Sequence, residues 1–230
     1  PQMPVHAMSF GRGVCLSLPY AFVAAILEEH DTGSGTVTVF RRNPNGDWLQ
    51  VQKFAPLGGE NGNRFGFGMD TDGTRLVVSV EGNGGLVNPN SVAHVYRLQD
   101  DGRWLPEAVL REPGDFSSRN FGTNVAIRDD TVLVGGFIRR PNEEPRGAVL
   151  VYHRNAQNEW SYATTLLADD DDVYIGFGDA TVLGDGFAVI GSGNVRDQFE
   201  EPGNGYVFER LPDNTWVRRG RLFSPDIDGS

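Results

Sequence analysis

The residues of this 230-residue chain best suited to chemistry are carboxylates: 31 Asp and Glu stand against 20 Lys and Arg, for a net charge of −11. Asp169-Asp170-Asp171-Asp172 sets four of them side by side. Such charges repel unless water or a cation dilutes them, so Asp170, Asp171 and Asp172 are candidate metal ligands. Asp70 and Asp72, separated by Thr71 and followed by Gly73, form a second candidate pair. Calcium is the cation that suits hard oxygen donors, and it generally takes about six to eight of them. Ordinary turn chemistry accounts for Asp72-Gly73 without any metal. The four histidines, His6, His30, His94 and His153, share no motif spacing. No Ser-His-Asp or phosphate-loop pattern is present. With no convergent acid–base set, the expectation is a non-enzyme that needs no cofactor beyond the candidate calcium.

The acidic balance also excludes partners. Nucleic acid and anionic membranes attract basic surfaces, so neither is expected to bind. No apolar run approaches the length of a membrane span, and 39% hydrophobic residues is too many for a disordered chain. Cys15 is the only cysteine, which excludes an intrachain disulfide and a cysteine metal cluster. No basic segment followed by an apolar stretch opens the chain, so no targeting signal is expected within it.

These groups are carried on internal repeats. Trp48, Trp104, Trp160 and Trp216 recur at intervals of 56 residues. Phe40, Tyr96, Tyr152 and Phe208 keep the same step, as do Val39, Val95, Val151 and Val207. Phe-Gly pairs at 65–66, 121–122 and 177–178 follow it too, with Phe10-Gly11 one residue out of phase. A single domain over 1–230 with repeats at 1–64, 65–120, 121–176 and 177–230 follows.

Each repeat reads as four short strands. The first follows the Phe-Gly pair and ends in an Asp- and Gly-rich turn. The second is a continuous apolar run, such as Leu76 to Val80, which marks a strand buried on both faces. The third leads to Gly46, Gly102, Asn158 or Asn214, residues that tolerate positive φ and so suit a hairpin. The Trp opens a less apolar outer strand. Four such units predict an all-β fold: a β-propeller of four four-stranded antiparallel blades, closed as one ring or forming part of a larger one. Identical placement of the tryptophans predicts blade-to-blade packing. In the innermost column Asp70 replaces Cys15, Ala126 and Val182 and is placed to face the axis; His94 replaces Thr38, Leu150 and Tyr206 and reads as a packed core histidine.

The run Phe121-Gly122-Thr123-Asn124-Val125-Ala126-Ile127, then Asp129-Asp130-Thr131-Val132-Leu133-Val134-Gly135-Gly136, then Gly147-Ala148-Val149-Leu150-Val151-Tyr152 resembles the FG-GAP repeat of integrin-α-type propellers. It is similar to the form found in bacterial surface and secreted proteins. The resemblance implies an extracellular or cell-surface location. Many repeats of this kind carry an Asp-x-Asp-x-Asp-Gly calcium loop between the first two strands; Asp70-Thr71-Asp72-Gly73 supplies only part of one.

Alternation of strand direction puts short turns on one face of the propeller and long, dissimilar loops on the other, where binding usually sits. The functional expectation is a non-enzymatic extracellular module for protein–protein interaction, adhesion or self-assembly into a surface array or filament. Its partner would be another protein or a second copy bound head to tail. A glycan-binding propeller lectin is the alternative.

Overall fold

Each 56-residue repeat folds into one antiparallel sheet because its apolar second strand must be covered on both faces and its flanking turns reverse the chain at fixed points. A computed structural model describes residues 7–28, 34–56, 64–81, 91–114, 119–138, 146–168, 176–193 and 203–223. Blade one contains β1 (Ala7–Ser17), β2 (Tyr20–Glu28), β3 (Thr36–Arg42) and β4 (Trp48–Phe54). Blade two contains β5 (Arg64–Thr71), β6 (Arg75–Glu81), β7 (Val92–Leu98) and β8 (Trp104–Arg111). Blade three contains β9 (Arg119–Arg128), β10 (Thr131–Ile138), β11 (Arg146–Arg154) and β12 (Trp160–Leu166). Blade four contains β13 (Phe177–Leu183), β14 (Phe187–Ser192), β15 (Asn204–Arg210) and β16 (Trp216–Leu222). Every sheet keeps its strands in chain order, all antiparallel. The fold is the four-bladed all-β propeller architecture expected from the repeats.

The hairpin between the third and fourth strands takes one form in all four blades. Gly46, Gly102, Asn158 and Asn214 all have positive φ, from 65° to 95°, and each donates its N–H three residues back, to Asn43, Gln99, Asn155 and Leu211. The first strand is longer than expected and contains the Phe-Gly pair rather than following it. Gly11, Gly66, Gly122 and Gly178 have φ between 88° and 97°. All four sit at a break in register with the second strand. Phe10-Gly11 therefore occupies the same structural position as the others despite its sequence offset.

These glycines also let neighbouring blades touch. A Cβ on Gly66 would collide with Ala24, one on Gly122 would lie 2.8 Å from Ser79 Cβ, and one on Gly178 would lie 2.8 Å from the Ala148 carbonyl oxygen. In each case the obstacle belongs to the preceding blade. Three apolar clusters fill the junctions: Phe22, Val39, Phe65 and Trp104 between blades one and two; Val77, Val95, Phe121 and Val132 between two and three; Leu133, Val151, Phe177 and Ile190 between three and four. Each fully buried large side chain contributes about 1.5–3 kcal/mol. The inner strands β1, β5, β9 and β13 contact one another in that order, while Phe10 and Val14 of blade one and Val182 of blade four stay exposed, so the described blades form an open arc.

Three of the four tryptophans pack between blades. Trp104 is 1% exposed and stands edge-on to Tyr20 and Phe22, with ring centroids 5.5 and 5.0 Å away. Trp160 and Trp216 pack at the next two junctions. Trp48 is 41% exposed. The short turns line one face; the long connections expected on the other fall largely outside the described residues.

Candidate functional site

Asp70 lies on β5 opposite Val77, the register that Cys15, Ala126 and Val182 hold opposite Phe22, Leu133 and Val189 on the other inner strands. The expected column is therefore real. Oδ2 of Asp70 accepts a 2.8 Å hydrogen bond from the Ile127 N–H on β9, so the carboxyl reaches across to the next blade. Burial raises the pKa of Asp70; backbone hydrogen bonds from Ile127 and Thr71 oppose the rise, and the nearby Asp72 charge adds to it. Burial, then the charge of Asp70, push the Cys15 thiol far up. Cys15 thus stays a protonated thiol and acts as a small apolar wall rather than a nucleophile.

Asp72 has a separate task. Its Oδ1 accepts from the Thr74 N–H and hydroxyl, both at 2.8 Å, and from the Arg75 N–H at 2.7 Å. Three donors on one oxygen organise the β5–β6 turn, where Gly73 has φ 90°. The two carboxylates of this pair face different partners. Among the described residues no group of three or more His, Cys, Asp or Glu side chains is placed to hold a metal. Asp170, Asp171 and Asp172 lie outside the described residues.

A second inner-strand carboxyl lies outside the candidates legible in the sequence. Asp179 follows Phe177-Gly178 on β13, in the strand position that Arg12, Phe67 and Thr123 fill in the other blades. Asp179 is exposed at the surface of β13, and the partial burial of its carboxyl raises its pKa. The signal that could have found it is the departure of residue type in that column. Counting from the Phe-Gly pair, Asp179 and Asp70 sit three positions apart along the strand, about 10 Å of axial rise. They are not one acid–base pair.

The turn face carries blade-to-blade latches. Trp160 Nε1 of blade three donates to Glu107 Oε1 of blade two at 2.8 Å, and Arg75 Nε of blade two donates to the same oxygen at 2.8 Å. Arg210 grips Asp130 with two bonds of 2.6 and 2.9 Å and also reaches the Thr131 hydroxyl. Hydrogen bonding to Arg210 holds the Asp130 carboxyl down at about 2. Around this latch lies a shallow depression lined by Arg128, Asp129, Asp130, Asp185, Arg210 and Trp216. Arg128 pairs with Asp185 and Arg210 with Asp130, both across the junction of blades three and four. His94 is 2% exposed, as the core reading requires.

No family model and no curated protein matches this chain. Solved structures do. A protein from Lactobacillus plantarum is 13% identical, with 90% of this chain and 68% of that one covered and a TM-score of 0.38. The periplasmic gluconolactonase of Pseudomonas aeruginosa is 14% identical, with 90% and 70% covered and a TM-score of 0.45. An exo-1,5-α-L-arabinanase from a bovine ruminal metagenomic library is 9% identical, with 90% and 76% covered and a TM-score of 0.45. The likeness is one of fold and does not extend to a shared substrate. The expectation of a non-enzymatic adhesion or self-assembling module, with a glycan-binding lectin as its alternative, is corrected: the structures above whose names carry an activity are a gluconolactonase and an arabinanase.

Proposed function

We propose that the chain is a hydrolytic propeller whose proton-transfer group is Asp70. The observation that carries this reading is a partly buried carboxyl of raised pKa on an inner strand, at a position where the other blades place Cys15, Ala126 and Val182. Bracing one blade against the next does not require that charge. At the junction of blades three and four the neutral Asn124 does the same job, accepting from the Thr181 N–H at 3.0 Å and its hydroxyl at 2.6 Å. A charge kept in a half-buried site where an amide would brace as well costs stability, and its use is chemical.

A carboxyl of raised pKa retains its proton closer to neutrality and serves as a general acid. In the hydrolysis of a C–O bond it protonates the leaving oxygen as water adds to carbon, and the resulting carboxylate takes up the proton released by that water. Sugar lactones and glycosides contain such bonds. The repeat itself we assign to the FG-GAP type, supported by the Phe-Gly pairs and their shared positive-φ glycine.

The test is a hydrolysis panel of aldonolactones, arabinan and aryl glycosides. The expected result is turnover of at least one class, with a rate that falls as pH rises through the Asp70 titration. Asp70→Asn, which keeps an acceptor for the Ile127 N–H, should lower kcat/KM by about 100-fold or more while leaving the fold intact by circular dichroism. No turnover across the panel, or an Asp70→Asn protein as active as the wild type, would refute the assignment.

A further inference from the structure

The arc ends in two apolar faces that are halves of the junction already formed three times within the chain. On the outer side of blade one, Phe10 is 52% exposed, whereas its register equivalents Phe65, Phe121 and Phe177 are buried. Trp48 lacks the covering that Trp104 has. Gly11 keeps φ 92°, yet a Cβ there would meet nothing within 4 Å, in contrast to Gly66, Gly122 and Gly178. Val14 and Leu16 are exposed beside it.

The outer side of blade four shows the matching deficit. Phe187, 45% exposed, stands where Tyr20 supports Trp104 in blade one. Val182 is exposed in the column of Cys15, Asp70 and Ala126. A Cβ on Gly135 of blade three would collide with the Gly178 carbonyl of the next blade, whereas one on its equivalent Gly191 would meet only Ala180 of its own blade.

We propose that a second copy of this chain closes the arc, blade one of each copy packing on blade four of the other to give an eight-bladed ring with two-fold symmetry. Each copy carries both faces of the junction, so one rotation satisfies all four ends. Eight blades lie within the usual propeller range of about four to eight. The charges agree as well. Within the chain, Arg12 of blade one reaches over the Phe67 ring of blade two, 4.4 Å from its centroid, so this column touches its neighbour in the next blade. At the new junction the same column sets Asp179 beside Arg12 of the second copy, an acid against a base. Trp48 of the second copy takes the place over Phe187 that Trp104 takes over Tyr20. Ring closure is independent of what Asp70 does, but it would put the two Asp70 carboxyls at one axial level.

Light scattering and sedimentation of the 230-residue protein over a concentration series test this directly. The expected particle has twice the 25.2 kDa chain mass, and Trp48→Arg or Phe187→Arg alone, both at exposed sites, yields folded monomer. Mixing those two variants restores a dimer through the one junction left intact. Arg12→Asp weakens the dimer about tenfold or more, and adding Asp179→Arg recovers it. A wild type that stays monomeric at about 100 µM, a trimer or open-ended chains of copies, or a charge reversal without rescue would overturn the proposal. Should a variant fail to fold, the wild-type series and the charge-reversal pair still decide it.

Discussion

At the residue scale, His94 shows what a repeat column does to a titratable side chain. The position holds Thr38, Leu150 and Tyr206 in the other blades, and neither ring nitrogen of His94 has a hydrogen-bond partner among the described residues. Phe65 and Tyr96 pack against the ring. Burial, and then the charge of Arg111, lower its pKa from 6.5 to about 4. Between those values the unfolded chain binds a proton that the folded chain refuses, so the histidine's share of stability is present above 6.5 and is lost as the solution is acidified. By pH 4 and below that loss reaches roughly 3 kcal/mol. Denaturant melts of wild type and His94→Leu, the residue blade three uses, should differ by a margin that shifts towards the variant across this window; parallel curves would mean His94 already ionises in the fold. His94 and Asp70 are legible in the sequence because each breaks the pattern of its own column. The separation of Asp70 from Asp72 is not, because sequence proximity does not reveal that Asp72 turns to its own loop while Asp70 reaches across to β9.

At the element scale, the Phe-Gly pair is legible in the sequence as a recurring dipeptide but not as part of the strand. It sits inside the strand because one residue in the left-handed region creates the register break and seats the strand on the blade before it. The two demands separate by mutation. Gly122→Ala meets both positive φ and the Ser79 Cβ at 2.8 Å, and should cost about 2–5 kcal/mol. Gly11→Ala has the same φ but open space around it, and in the monomer should cost only about 1–2 kcal/mol. Equal losses measured by urea unfolding would show that backbone strain alone conserves the motif across the repeats.

At the scale of the whole molecule, the number of blades was legible in the tryptophan period and the openness of the ring was not. The first and last repeats carry the same signature as the middle ones, and the curvature that leaves β13 and β1 apart is a property of stacked sheets, not of any one sequence position. An open arc nevertheless has a measurable consequence. Blades two and three are covered on both faces, blades one and four on one, and stacked repeats draw much of their stability from each neighbour. The amides of β6 and β10, around Val77–Val80 and Val132–Val134, should therefore exchange slowest in the monomer. Those of β2 and β14, around Phe22–Ile26 and Ala188–Ile190, should open at lower free energy, by about the worth of one junction. Closure of the ring covers all four blades alike, so hydrogen exchange followed from dilute to concentrated protein should show protection rising in β2 and β14 while β6 and β10 change least. Protection that is uniform at every concentration would mean that the two end blades are already covered in the single chain.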